Sequence, residues 1–76
     1  MVLVRACILI KASPVRFNEL LEAIRAMKDV RKVYVTYGRF DIVAFVEGVG
    51  NDDVARISAN INQLEGVRST ETLIEA

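Results

Sequence analysis

The residues with most chemical potential in this chain fall in two short stretches. Gly38-Arg39-Phe40-Asp41 sets a carboxylate just after a glycine turn between two apolar segments, and Gly66-Val67 leads into Arg68-Ser69-Thr70-Glu71-Thr72, where hydroxyls recur at spacing two. A carboxylate in a strand that otherwise reads apolar must be paired, hydrated or aimed at a ligand. Asp41 is therefore either a receiver for a cationic group or a strand-end acid, with Arg39 or Lys32 as partner. Gly38 supplies the positive φ a tight hairpin turn needs, and its bare backbone also lets an amide approach a ligand carboxylate. Thr70 and Thr72 share one face of a strand and can both donate and accept, although threonine is also an ordinary strand residue. Arg39 and Arg68 are solvated charges by default and carboxylate clamps at most. Such groups suit a small zwitterion better than a reaction. The chain has no His, no serine elbow, no glycine-rich phosphate cradle and no acidic or thiolate metal cluster, so neither a catalytic residue nor a metal or cofactor is expected.

These residues need a scaffold, and hydrophobic periodicity supplies one. Leu3 to Ala12 is apolar on both faces and reads as a strand covered on both sides. Ser13-Pro14 reads as a helix start, followed by Phe17, Leu20, Leu21, Ile24 and Met27 at helical spacing opposite Arg16, Glu19, Glu22 and Arg25. Val30 to Tyr37 alternates as a strand, Gly38-Arg39 reverses it, and Phe40 to Glu47 returns. Gly48 to Asp52 reads as a flexible connector in which Asn51 or Asp52 caps a second helix bearing Val54, Ile57, Ile61 and Leu64. Glu65-Gly66 ends that helix, and Val67 to Glu75 is the last strand. A shift of 37 positions lays Phe17, Leu20, Ile24, Met27, Val30 and Arg31 onto Val54, Ile57, Ile61, Leu64, Val67 and Arg68. Two copies of strand, helix, strand predict an α+β, ferredoxin-like βαββαβ domain over residues 1–76, a four-stranded antiparallel sheet with both helices on one face.

Such a sheet has a second face to cover. Of the 76 residues, 53% are hydrophobic, yet a domain this small buries only about 60% of its unfolded surface. Leu3, Cys7, Leu9 and Tyr34 are candidates for the uncovered face, beside Arg5, Lys32, Thr36 and alternate residues of the third strand. Burying apolar side chains of this kind contributes about 1.5–3 kcal/mol each, so dimerisation through the sheet is expected. Ten basic and ten acidic residues cancel, which argues against direct nucleic-acid binding. Cys7, the only cysteine, reads as a structural thiol. Arg5 and Lys11 interrupt the N-terminal apolar run, no stretch approaches the ~18 uncharged residues of a membrane span, and a soluble cytoplasmic protein is expected.

On the Gly38-Arg39-Phe40-Asp41 turn and the Gly66-Val67 to Thr70-Glu71-Thr72 ending, the chain resembles the effector-binding domain of the leucine-responsive regulator family, Lrp/AsnC, also called the RAM domain. The resemblance spans essentially the whole chain in strand order, helix spacing and both motif positions. It implies a dimeric α/β barrel made by pairing two sheets, a further ring of dimers, and an amino acid or related small effector bound where dimers meet. By that resemblance Asp41 receives the ligand ammonium and the amides of Gly38, Arg39 and Phe40 its carboxylate. Tyr37, Thr70 and Thr72 would line the site, with a neighbouring subunit able to contribute. Typical members also carry an N-terminal helix-turn-helix, whereas here Met1 leads straight into the first strand. A stand-alone form is expected, with full-length Lrp/AsnC regulators as its protein partners.

Two other classes stay open on the residues alone. One is a small dimeric α/β-barrel enzyme, for which Tyr34, Tyr37, Asp41 and Glu47 are the candidate acid-base groups. The other is a purely structural assembly module with an empty pocket.

Overall fold

The computed structural model describes residues 2–76. Its elements run β1 (Leu3–Ala12), α1 (Phe17–Arg25), β2 (Val30–Val35), β3 (Ile42–Val49), α2 (Gly50–Asn62) and β4 (Val67–Ile74). The strands form one antiparallel sheet in the order β2-β3-β1-β4, the expected ferredoxin-like topology. Period-two alternation sends Ala6, Ile8, Ile10 and Ala12 of β1, with Ile42, Ala44 and Val46 of β3, into one buried cluster. Leu20, Leu21 and Ile24 of α1 and Val54, Ile57 and Ile61 of α2 complete that cluster, so both helices lie on the same face. Each helix buries the stripe that its 3.6-residue periodicity marks.

Several boundaries depart from the sequence reading. Ser13 does not open α1. Its N–H donates to the Gly66 carbonyl at 2.8 Å, and its hydroxyl accepts from the Val15 N–H at 3.2 Å. The chain then needs a further turn, with Arg16 at φ 58°, before the helix begins at Phe17. Gly48 to Asp52 is not a flexible connector either, because β3 runs to Val49 and α2 starts at Gly50. Gly48 is buried, and a Cβ there would lie 3.1 Å from both Asp53 Oδ2 and the Val54 nitrogen. The glycine is what lets the helix start pack directly on the strand. Nor do Asn51 or Asp52 cap α2: Asp53, in its first turn, reaches back to accept the Val49 N–H at 2.8 Å, satisfying an amide that precedes the helix. At its other end α2 stops at Asn62, four residues before Gly66, whose φ of 98° serves the turn into β4.

β1 is covered on one face only. Toward solvent the sheet presents Cys7, Leu9, Val43, Tyr34, Phe45 and Leu73, with Tyr34, Phe45 and Leu73 50%, 41% and 52% exposed. Tyr34 and Phe45 meet edge to face with ring centroids 5.8 Å apart, a favoured aromatic geometry. Among these apolar groups sits Glu47, whose two oxygens accept from Arg31 Nε at 2.8 Å and Arg5 Nε at 3.3 Å.

Candidate functional site

The loop between β2 and β3 is longer than a two-residue reversal. β2 stops at Val35 and β3 starts at Ile42, because Thr36 closes a neck across the chain. Its N–H donates to the Asp41 carbonyl at 2.9 Å, and its hydroxyl donates to the Phe40 carbonyl at 2.8 Å. Thr36 therefore does not stand on the sheet beside Lys32 and Tyr34. Tyr37 is thrown outward and is 99% exposed. Gly38 sits at φ 118° with nothing within 4 Å of where a Cβ would be. Its requirement is conformational, since φ near that value is costly for any residue with a side chain, and its amide region stays open.

Asp41 is neither a bare surface acid nor an ion-pair partner of Arg39 or Lys32. Its N–H donates to the Ile10 carbonyl at 2.9 Å, and its Oδ2 accepts the Ala12 N–H at 2.8 Å. The carboxylate takes over the sheet ladder where β3 has turned away, and it fixes the loop to the end of β1. Oδ1 has no hydrogen-bond partner among the described residues. A charged, half-buried acceptor anchored by one oxygen is well placed to receive an ammonium on the other.

Thr70 and Thr72 share a face, as their spacing predicts, but that face is the helix side. They pair in register with the inward-facing Ile10 and Ile8. The Thr72 and Ser58 hydroxyls lie 2.8 Å apart, and Thr70 Oγ1 is 3.5 Å from Asn62 Oδ1. They help to line a groove of about 650 Å3 between α2 and the edge strand β4, whose polar rim includes Asn51, Ser58, Asn62 and Arg68. Ser58 and Asn62 went unremarked in the sequence, and Asn51 was read only as a helix cap. Their spacing of i, i+7 and i+11 marks a polar stripe beside the apolar one, a helical signal that was available to find them.

The two motifs sit at the same end of β1. Asp41 bonds Ile10 from one side and Thr70 pairs with Ile10 from the other, which sets them two strand spacings, about 10 Å, apart. Within one chain they do not share a concavity, because no residue of the Tyr37–Asp41 loop lines the groove. Tyr34 and Glu47 lie on the outer sheet face, away from both. The hydrogen bond from Arg31, followed by that from Arg5, holds the Glu47 carboxyl below its ordinary value. Desolvation raises the Cys7 thiol, as suits an inert structural cysteine. Among the described residues no cluster of three His, Cys, Asp or Glu could hold a metal, and no helix is long and apolar enough to cross a membrane.

Sheet order, helix placement and the two motifs define an effector-domain architecture, and comparison with known proteins identifies it. A family model described as the Lrp/AsnC ligand binding domain matches residues 5–75, and the chain belongs to that family. It is 36% identical over 73 residues to an uncharacterised HTH-type transcriptional regulator of Bacillus subtilis, YugG, with 91% of this chain covered. It spans 44% of the length of that relative. Among solved structures, TTHA0845 from Thermus thermophilus is similar at 34% identity and a TM-score of 0.89, covering 96% of this chain and 92% of that one. E. coli AsnC is similar at 27% identity and a TM-score of 0.87, covering 95% of this chain and 50% of that one.

Proposed function

We propose that this chain is a non-catalytic effector-binding module, one domain over residues 1–76, that takes an amino acid or a related small zwitterion and works as an oligomer in the cytoplasm. It pairs through the open sheet face, and pairs assemble further into rings. Its influence on transcription passes through contacts with its own copies and with full-length members of its family. Asp41 receives the ammonium, the amides of Gly38, Arg39 and Phe40 receive the carboxylate, and Tyr37, Thr70 and Thr72 line the site. Since the loop and the two threonines do not share a concavity within one chain, a neighbouring subunit completes the pocket.

The observation that carries this reading is the state of Asp41, fixed to the Ala12 amide by one oxygen with the other uncommitted, in a chain of the ligand-binding-domain family. The enzyme reading draws less support. Tyr34 and Glu47 share a hollow on the outer sheet face that neither Tyr37 nor Asp41 reaches, and Glu47 is held ionised by two guanidinium groups, unlike a general acid tuned near neutral pH. Calorimetric titration with the twenty amino acids tests the proposal. Saturable heat for at least one of them, lost in Asp41→Asn, is the expected result; turnover of a metabolite that Asp41→Asn removes would instead support an enzyme.

A further inference from the structure

Strand β2 breaks its alternation where it carries most charge. Val30 pairs with Val46 and Lys32 with Phe45, so a bulge sets Arg31 and Lys32 together opposite Phe45. The bulge resets the phase, and Val30 and Val33 both pack against the core although they stand three apart. Arg31 and Lys32 are left side by side and exposed on the open face, where strict alternation would send one of them inward. With Arg5, Tyr34, Phe45 and Glu47 they line a hollow of about 540 Å3. We infer that this hollow is a ligand site apart from the Asp41 loop, and that it takes the phosphate group of a small organic phosphate.

The charges in the hollow point to an anion. Three cations line it against one carboxylate, in a chain whose ten basic and ten acidic residues cancel. That carboxylate is already engaged, since Glu47 accepts from Arg5 Nε with one oxygen and from Arg31 Nε with the other. The clamp draws two guanidinium groups toward one point, and their terminal nitrogens have no hydrogen-bond partner among the described residues. Lys32 forms no ion pair among them either. Other acids near this edge are committed elsewhere, Glu22 to Arg25 and Asp29 to Arg56. Glu75, whose N–H donates to the Arg5 carbonyl, lines the neighbouring hollow with Cys7 and Leu73 rather than this one. Guanidinium forks meet the oxygens of a phosphate in pairs and an ammonium adds a compact charge, so this set suits a dianionic group. Tyr34 and Phe45, edge to face beside it, offer an apolar wall to the organic part of the ligand. Arg5 stands five residues before Ile10, to which Asp41 bonds, about 17 Å along β1. The hollow and the Asp41 loop are therefore separate places on the molecule.

The test is calorimetric titration of the chain with phenyl phosphate, inorganic phosphate and benzoate, all at one ionic strength so that screening is constant. Saturable binding of phenyl phosphate is expected, tighter than inorganic phosphate because of the aromatic wall and tighter than benzoate because of the second charge. Lys32→Ala, at an exposed position, should weaken it about tenfold, and Arg31→Ala with Lys32→Ala should abolish it. Asp41→Asn should leave it unchanged, which keeps this site distinguishable from the effector reading. No saturable heat with phenyl phosphate, or an affinity unaltered in the double variant, overturns the inference. Inorganic phosphate bound as tightly as the ester would overturn the organic ligand in favour of free phosphate, and a loss in Asp41→Asn would move the phosphate to the effector loop and remove the separate site.

Discussion

Asp41 holds the Ala12 amide and, as proposed, receives the effector ammonium, and its substitutions should separate the two roles. Alanine, the obvious choice from sequence, removes the acceptor of the buried Ala12 amide as well as the charge. Leaving that donor unmet should cost about 1–3 kcal/mol, so Asp41→Ala confounds binding with stability. Asparagine keeps a carbonyl oxygen for Ala12, and Asp41→Asn should lie within about 1 kcal/mol of the parent in denaturant melts while losing effector affinity. The other strongly held carboxylates are structural. Asp53 is held below its ordinary value by the Val49 N–H and then by Arg56, and Glu47 by Arg31 and then Arg5. Both are depressed in the folded chain, so their stabilisation is present above the ordinary carboxylate range of about 4 and lost as pH falls below it. The melting temperature should hold level between about pH 7 and pH 5 and drop below about pH 4. Asp53→Asn should lower the melting temperature at pH 7 and narrow its gap to the value at pH 3.

The elements were legible in the sequence where one periodicity dominates a segment. Phe17 to Ile24 and Val54 to Ile61 repeat at helical spacing, Val30 to Val35 alternates, and the apolar runs of β1 and β3 have strand length, so the βαββαβ order could be read directly, although apolar residues on both faces of β1 suggested cover on two sides where the fold supplies one. The junctions were less legible because tertiary partners decide them. Ser13 has the side chain of a helix cap, but its amide is taken by Gly66 across 53 positions of sequence. Gly48 looks like a flexible residue, yet the nearness of Asp53 and Val54 is what requires it. The site shared that limit: the Tyr37–Asp41 motif could be picked out, whereas the Thr36 neck and the Ala12 amide that hold it depend on pairings no local spacing reveals. The two glycines should behave differently. Gly48→Ala should cost about 1–3 kcal/mol through overpacking against the start of α2. Gly38→Ala, with open space around it, pays only for φ, about 1 kcal/mol, and should perturb effector binding more than stability. Chemical denaturation of both variants beside a binding titration checks this contrast.

For the molecule as a whole, one closed face and one open face explain how so short a chain carries so much apolar sequence. Among the described residues the helix side buries thirteen hydrophobic side chains, while Tyr34, Phe45 and Leu73 are exposed on the other. On the proposed reading a module of this shape is completed by its copies, and the approach of loop and groove to the same end of β1 would make assembly and effector binding interdependent. Native mass spectrometry of the chain with a pool of the twenty amino acids, run beside Asp41→Asn, tests that claim most directly. The account predicts a dimer or larger ring that retains an amino acid, and a variant that assembles alike but retains none. Retention by Asp41→Asn equal to the parent's, or a parent assembly that holds no amino acid at any concentration, would contradict it.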